Sequence, residues 1–187
     1  MATRYRFAES YIPHFITFAT VQWVDALSRP LYKDIIVESL RYCIDQKQLR
    51  LHAWVIMNNH IHLIISSEYN KLQDIVRDFK KYTSNHIIKA IETNNHESRK
   101  SWMLWLFNSA GKQNSNNTQY QFWQQDNHPI TLDTPQKIKE RLHYLHYNPV
   151  KEGIVFEPTQ YVYSSAVDYS SMQPGLLPVE LLEVISQ

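Results

Sequence analysis

The sequence predicts a single α+β domain, and three observations carry the prediction. Short β-branched and aromatic runs fall at residues 13–22, 50–57 and 60–66, the last two flanking an Asn58-Asn59 turn pair as in a hairpin. Longer stretches with apolar residues at helical spacing alternate with them, at 31–46, 71–93 and 135–147. No internal repeat and no credible second domain divides the 187 residues, a length that suits one sizeable core. The domain is taken as residues 1–187, with a core of about 10–170 and a packing tail at 171–187.

The elements follow in order. Residues 13–22 read as a strand opened by Pro13, where a missing N–H is tolerated. In 31–46, Ile35, Ile36, Leu40 and Cys43 supply an apolar stripe, with Lys33, Glu38 and Arg41 on the polar side. Residues 50–57 and 60–66 form the hairpin arms. The long helix 71–93 buries Leu72, Ile75, Val76, Phe79, Thr83 and Ile87. Residues 94–101 are a polar loop, 101–108 a short helix and 111–118 a polar low-complexity loop. The run 120–132 is compatible with a short strand. Thr134-Pro135 starts a helix with an N-cap and a first-turn proline. Pro149 biases Asn148 away from helical geometry, which places the helix end near Tyr147. A last short helix is expected at 178–185.

Composition excludes several classes. Only three glycines occur, and neither G-x-x-x-x-G-K nor G-x-G-x-x-G is present, which argues against a glycine-rich phosphate loop. The single Cys43 excludes an internal disulfide and a cysteine-rich zinc site. A net charge of +1 gives no global signature of a nucleic-acid binder, so any DNA site must be a local patch. No signal-peptide core and no membrane-length apolar run is seen, and a cytoplasmic protein is expected.

Two segments bear chemistry. In a strand, His60 and His62 project from one face about 7 Å apart, while Ile61, Leu63 and Ile65 face the other way. Two imidazoles at that spacing can converge on one metal ion, and a polar strand face that merely carries two histidines is the alternative. On the helix from Pro135, Lys137, Arg141, Tyr144 and Asn148 are spaced four, three and four and share a face. Cations there attract a phosphate, a tyrosine oxygen can attack it, and the Asn148 oxygen could complete a metal site. Equally, Tyr144 could be a boundary aromatic and Asn148 a cap. Lys80 and Lys81 add positive charge on helix 71–93.

His60-Ile-His62 after Met57-Asn-Asn resembles the HUH motif of single-tyrosine transposases. Tyr144-Leu-His-Tyr-Asn148-Pro-Val-Lys151 resembles the tyrosine segment of the REP-associated tyrosine transposase branch, and Phe79-Lys-Lys-Tyr-Thr-Ser84, Phe122-Trp-Gln124 and Tyr163-Ser-Ser165 match it in order. The resemblance implies a ferredoxin-like antiparallel sheet carrying the HUH motif, with helices packed against it. It implies a metal-dependent single-stranded DNA endonuclease and strand-transferase working through a 5′-phosphotyrosine intermediate on hairpin-containing DNA. The resemblance also implies Tyr144 as the nucleophile and His60, His62 and Asn148 as the holders of a divalent ion, Mg²⁺ or Mn²⁺. Lys80, Lys81, Lys137 and Arg141 are the candidate DNA contacts. Many relatives carry a Tyr shortly after the Phe-Trp-Gln segment, where this chain has Asp126-Asn127-His128, and Tyr147 stands where Asn is usual. Tyr147 therefore ranks second as nucleophile, and a part for Asp126 or His128 stays open. Family members occur as monomers or dimers, so a homodimer also stays open. Two other readings remain: an inactive DNA-hairpin-binding protein, and a metal-dependent phosphoesterase that uses water.

Overall fold

The computed structural model describes residues 7, 9–69, 71–113, 119–125, 127–170 and 173–183. Four strands, β1 (His14–Ala19), β2 (Arg50–Ile56), β3 (His60–Ser66) and β4 (Ile130–Thr131), form an antiparallel sheet in the order β2-β3-β1-β4. This is the ferredoxin-like order. The helices are α1 (Pro30–Lys47), α2 (Leu72–Thr93), α3 (Lys100–Lys112), α4 (Pro135–Lys151) and the short α5 (Ala166–Tyr169).

Strand periodicity divides the interior in two. Ile16 and Phe18, Trp54 and Ile56, and Ile61, Leu63 and Ile65 pack with Ile36, Leu40, Ile75 and Phe79 of α1 and α2. On the opposite face, Phe15, Val55 and Ile64 meet Leu142 and Leu145 of α4. His60 and His62 share the parity of Ile64, so they lie on the face that α4 covers. A bulge between Leu51 and Ala53 sets His52 apart from this alternation. Its Nδ1–H donates to the Glu180 carbonyl at 2.9 Å, and its Nε2 accepts from Ser66 Oγ at 2.8 Å.

Several elements depart from the expectations. Helix α4 passes through Pro149 to Lys151, not stopping near Tyr147. Proline at that point removes only one bond near the helix end. The Ile154 N–H closes the terminus on the Pro149 carbonyl, with Gly153 at φ +69°. Helix α3 runs to Lys112 because Gly111 lets the Gln119 main chain approach where a Cβ would collide. Residues 178–183 are not helical, and 184–185 lie outside the described residues. There the Glu180 N–H donates to the Leu51 carbonyl, so the tail pairs with the β2 edge. Lys33 is not on a solvated face: it is 6% exposed, donating to Tyr161 Oη at 2.8 Å and Asn58 Oδ1 at 3.2 Å.

The loop at 94–99, between α2 and α3, also hides a buried carboxylate. Glu97 accepts from Arg29 at 2.6 Å, Arg99 at 3.2 Å and Tyr32 Oη at 3.3 Å, tying the start of α1 to the start of α3. Glu97→Gln leaves two guanidinium groups short of a partner. Because both are partly solvated, the expected loss is about 2–3 kcal/mol, below that of a fully buried pair. Urea unfolding should show a lower midpoint at unchanged slope.

Burial lowers the pKa of His14, His52 and His146, that of His146 to about 4. The unfolded chain binds protons near pH 6.5 while the folded state refuses them. Stability is therefore full above pH 6.5 and falls as pH drops below it, with His146 contributing a loss of about 1.4 kcal/mol per pH unit down to about 4 and His14 and His52 adding to the loss in the same direction. Thermal unfolding in chelator from pH 7.5 to 4.5 should show this slope, reduced in His146→Gln.

Candidate active site

Helix α4 begins where Thr134 Oγ1 accepts the Lys137 N–H at 3.3 Å, with Pro135 in the first turn. Its stripe of Leu142 and Leu145 seats it on the sheet. Continuing as a helix through Pro149 turns Asn148 inward, leaving it 6% exposed. The Asn148 Nδ2–H donates to His62 Nε2 at 3.2 Å.

The two histidine rings of β3 lie 4.6 Å apart at 67°. His62 is 4% exposed, stacked on Phe15 at 5.2 Å, and sits opposite Thr17 of β1 in the sheet register. Its Nδ1–H donates to Thr17 Oγ1 at 2.8 Å, consistent with Nε2 as the acceptor from Asn148. His60 Nδ1–H donates to Asn59 Oδ1 at 2.6 Å. Both rings are thus fixed through Nδ1, the tautomer that turns Nε2 toward a ligand. Burial, then His60 and Arg141, push the His62 pKa down to about 3. Burial lowers that of His60 too, against the opposing pull of Glu152 and the Asn148 amide. Both imidazoles are neutral at pH 7, as metal ligation requires.

The Tyr144 ring stands 5.2 Å from His62 and 6.0 Å from Phe15, and the residue is 42% exposed. Tyr147 instead stacks on His143 at 4.3 Å. Arg141 lies over the Phe15 ring at 5.3 Å and bears electrostatically on His62. The other candidate cations differ in setting. Lys137 pairs with Asp133 at 2.7 Å. Lys80 donates to the Gln124 carbonyl and to Asn127 Oδ1, holding that segment. Lys81 and His128 are exposed, and Asp126 lies outside the described residues. Thr17, Asn59 and Glu152 escaped sequence reasoning. Thr17 could have been found from strand pairing, and Glu152 from its position four residues beyond Asn148.

The donor set fits a divalent cation. Asn148 Oδ1 is buried with no hydrogen-bond partner, an acceptor whose lone pairs a cation could satisfy. Among the described residues no group of three His, Cys, Asp or Glu side chains is arranged to hold a metal ion, and the donors gathered at this point are two imidazoles and an amide oxygen.

The model of the family described as "Transposase IS200 like" matches residues 10–120, from the start of β1 through α3, including the histidine pair. The chain belongs to the IS200-like transposase family. It is a DNA transposase, and Tyr144 and Asn148 lie beyond the matched residues. Among solved structures, the transposase is similar to a REP-associated tyrosine transposase bound to a REP hairpin, at 16% identity and TM-score 0.61, covering 100% of this chain and 95% of that one. That likeness shows the shared fold. A Deinococcus radiodurans R1 protein provisionally named a transposase aligns at 15% identity and TM-score 0.44, over 76% of this chain and 92% of its own. No curated protein matches the transposase in sequence. No helix among its described residues is long and apolar enough to cross a membrane.

Proposed function

We propose that this transposase cleaves and rejoins single-stranded DNA with Tyr144 as nucleophile, on a substrate that contains a hairpin. The observation that carries the reading is the meeting of Tyr144 and Asn148, one helical turn apart on α4, with His62 on the sheet below. Tyr144 is open to a DNA strand on one side and packed against the histidine on the other. The hairpin bound by the relative of the same fold supports the choice of substrate.

His60, His62 and Asn148 would hold a divalent ion, magnesium or manganese, which when bound polarises the non-bridging phosphate oxygens. Arg141 attracts the phosphate and, through its seat on Phe15, sets its position beside Tyr144. The phenol gives up its proton, and a bond forms from its oxygen to phosphorus while the bond to the 3′ oxygen breaks. The 3′ oxygen takes a proton, and the 5′ end stays on the tyrosine as a phosphodiester. In the second step a 3′-hydroxyl attacks that ester, and the tyrosine oxygen leaves and is reprotonated. The ester conserves the bond energy, so no nucleotide cofactor enters.

The test uses the full chain, a labelled hairpin oligonucleotide with single-stranded flanks, and Mn²⁺. A covalent protein–DNA band is expected on a denaturing gel, with the modified peptide mapping to Tyr144. A band mapping to Tyr147, or binding with no cleavage, would overturn the assignment.

A further inference from the structure

The loop after β1 holds a tryptophan in a conformation that its own packing does not explain. Gln22 and Trp23 have φ of +53° and +56°, and a bulky L residue rarely adopts this region. Trp23 nonetheless leaves 54% of its surface exposed. Its neighbours Val21 and Val24 are buried, so the chain is pinned on both sides while the indole projects outward.

The backbone is held there by a dense set of hydrogen bonds. The Trp23 N–H donates to the Thr20 carbonyl at 3.0 Å, and Asn59 Nδ2–H donates to the Trp23 carbonyl at 3.3 Å. Thr20 Oγ1 donates to the Val24 carbonyl at 2.6 Å, and the Val21 N–H to the Phe122 carbonyl at 2.8 Å. Asn59 is the same residue that orients His60. The indole lies 5.6 Å from His60 with the rings at 69°, an edge-type contact that leaves more than half of the residue's surface open to solvent. Strain that persists because its surroundings over-determine it is the mark of a residue placed for a task. Trp102 and Trp105 are also exposed, but they lie on a regular helix with ordinary backbone angles.

We propose that Trp23 is a stacking platform for an unpaired nucleobase of the DNA strand that runs across the histidine pair. The proposal rests on the reading of a single-stranded DNA substrate given above. Every base offers a π-face, so an open indole beside a phosphate-binding point takes the base attached to that phosphate or its neighbour. The subsite fixes the register of the strand and does not read a base sequence.

The test measures binding by the whole chain carrying Tyr144→Phe, so that no strand is cut. Oligonucleotides have a hairpin and a single-stranded flank in which 2-aminopurine, or an abasic residue, replaces one position at a time. One flank position should show strong 2-aminopurine quenching that Trp23→Ala removes and Trp23→Phe largely keeps. Trp23→Ala should weaken binding about tenfold. An abasic residue at that position should cost the parent the same tenfold and cost Trp23→Ala nothing further. Trp23→Gly accepts a positive φ without strain, so it should lose the same affinity while melting no lower than the parent. A melting temperature several degrees lower in Trp23→Gly would show that the indole serves stability and overturn the proposal. So would undiminished abasic sensitivity in Trp23→Ala. A change in oligomeric state with DNA affinity unaltered would assign Trp23 to a contact between protein chains instead. If no adduct forms on Tyr144 in the otherwise unaltered protein, the proposed chemistry fails while these binding data still decide the role of Trp23.

Discussion

Tyr144→Phe should abolish the covalent DNA adduct and lower strand cleavage by about 10⁴-fold or more, with hairpin affinity and melting temperature close to the parent values. The substitution removes one oxygen from a ring that is 42% exposed, and the contacts with His62 and Phe15 are made by the ring itself. No fold-stabilising hydrogen bond of the phenol oxygen is present among the described residues, so the effect falls on chemistry alone. Tyr147→Phe is the control. That ring stacks on His143, away from His62, and its loss of a hydroxyl should change cleavage by less than about threefold. Gel quantification of both variants against the parent checks the contrast. Cleavage that survives Tyr144→Phe but is lost in His60→Ala would transfer the chemistry to a water nucleophile.

The second large effect concerns the ion. Saturating Mn²⁺ at about 100 times its Kd should stabilise the protein by about 2.7 kcal/mol. For a chain of this size that is a rise in Tm of about 5–10 °C. Asn148→Leu should remove most of this shift, because the buried amide oxygen has no hydrogen-bond partner and can meet a cation. The metal-free Asn148→Leu protein should melt within a few degrees of the parent, since one hydrogen bond to His62 is lost while an unsatisfied buried oxygen is also removed. Scanning calorimetry with and without Mn²⁺ separates the two quantities without any activity measurement. An unchanged metal shift in Asn148→Leu would exclude that oxygen from the ligand set.

The histidine pair was legible because strand periodicity is a strict rule: alternate residues share a face whatever the fold around them. The helix bearing Tyr144 was legible for a similar reason, through its N-cap, its proline and its apolar stripe. Its end was not. Local sterics before Pro149 argued for a break near Tyr147, and the closing bonds from Ile154 and Gly153 outweighed them. Lys33 was misjudged because charge favours solvent until specific partners exist, and those partners, Tyr161 and Asn58, lie far away in the chain.

By itself, the sequence determined which residue types were available, which strand face they share and which helix face carries Tyr144 and Asn148. These are short-range properties, set by backbone periods and caps. Only the tertiary structure decided that the two faces oppose one another, that Thr17 and Asn59 lock the imidazoles, and that Trp23 stands beside His60. Each of those depends on strand pairing and on packing across the sheet, where residues distant in the chain meet and the free energy of burial is realised.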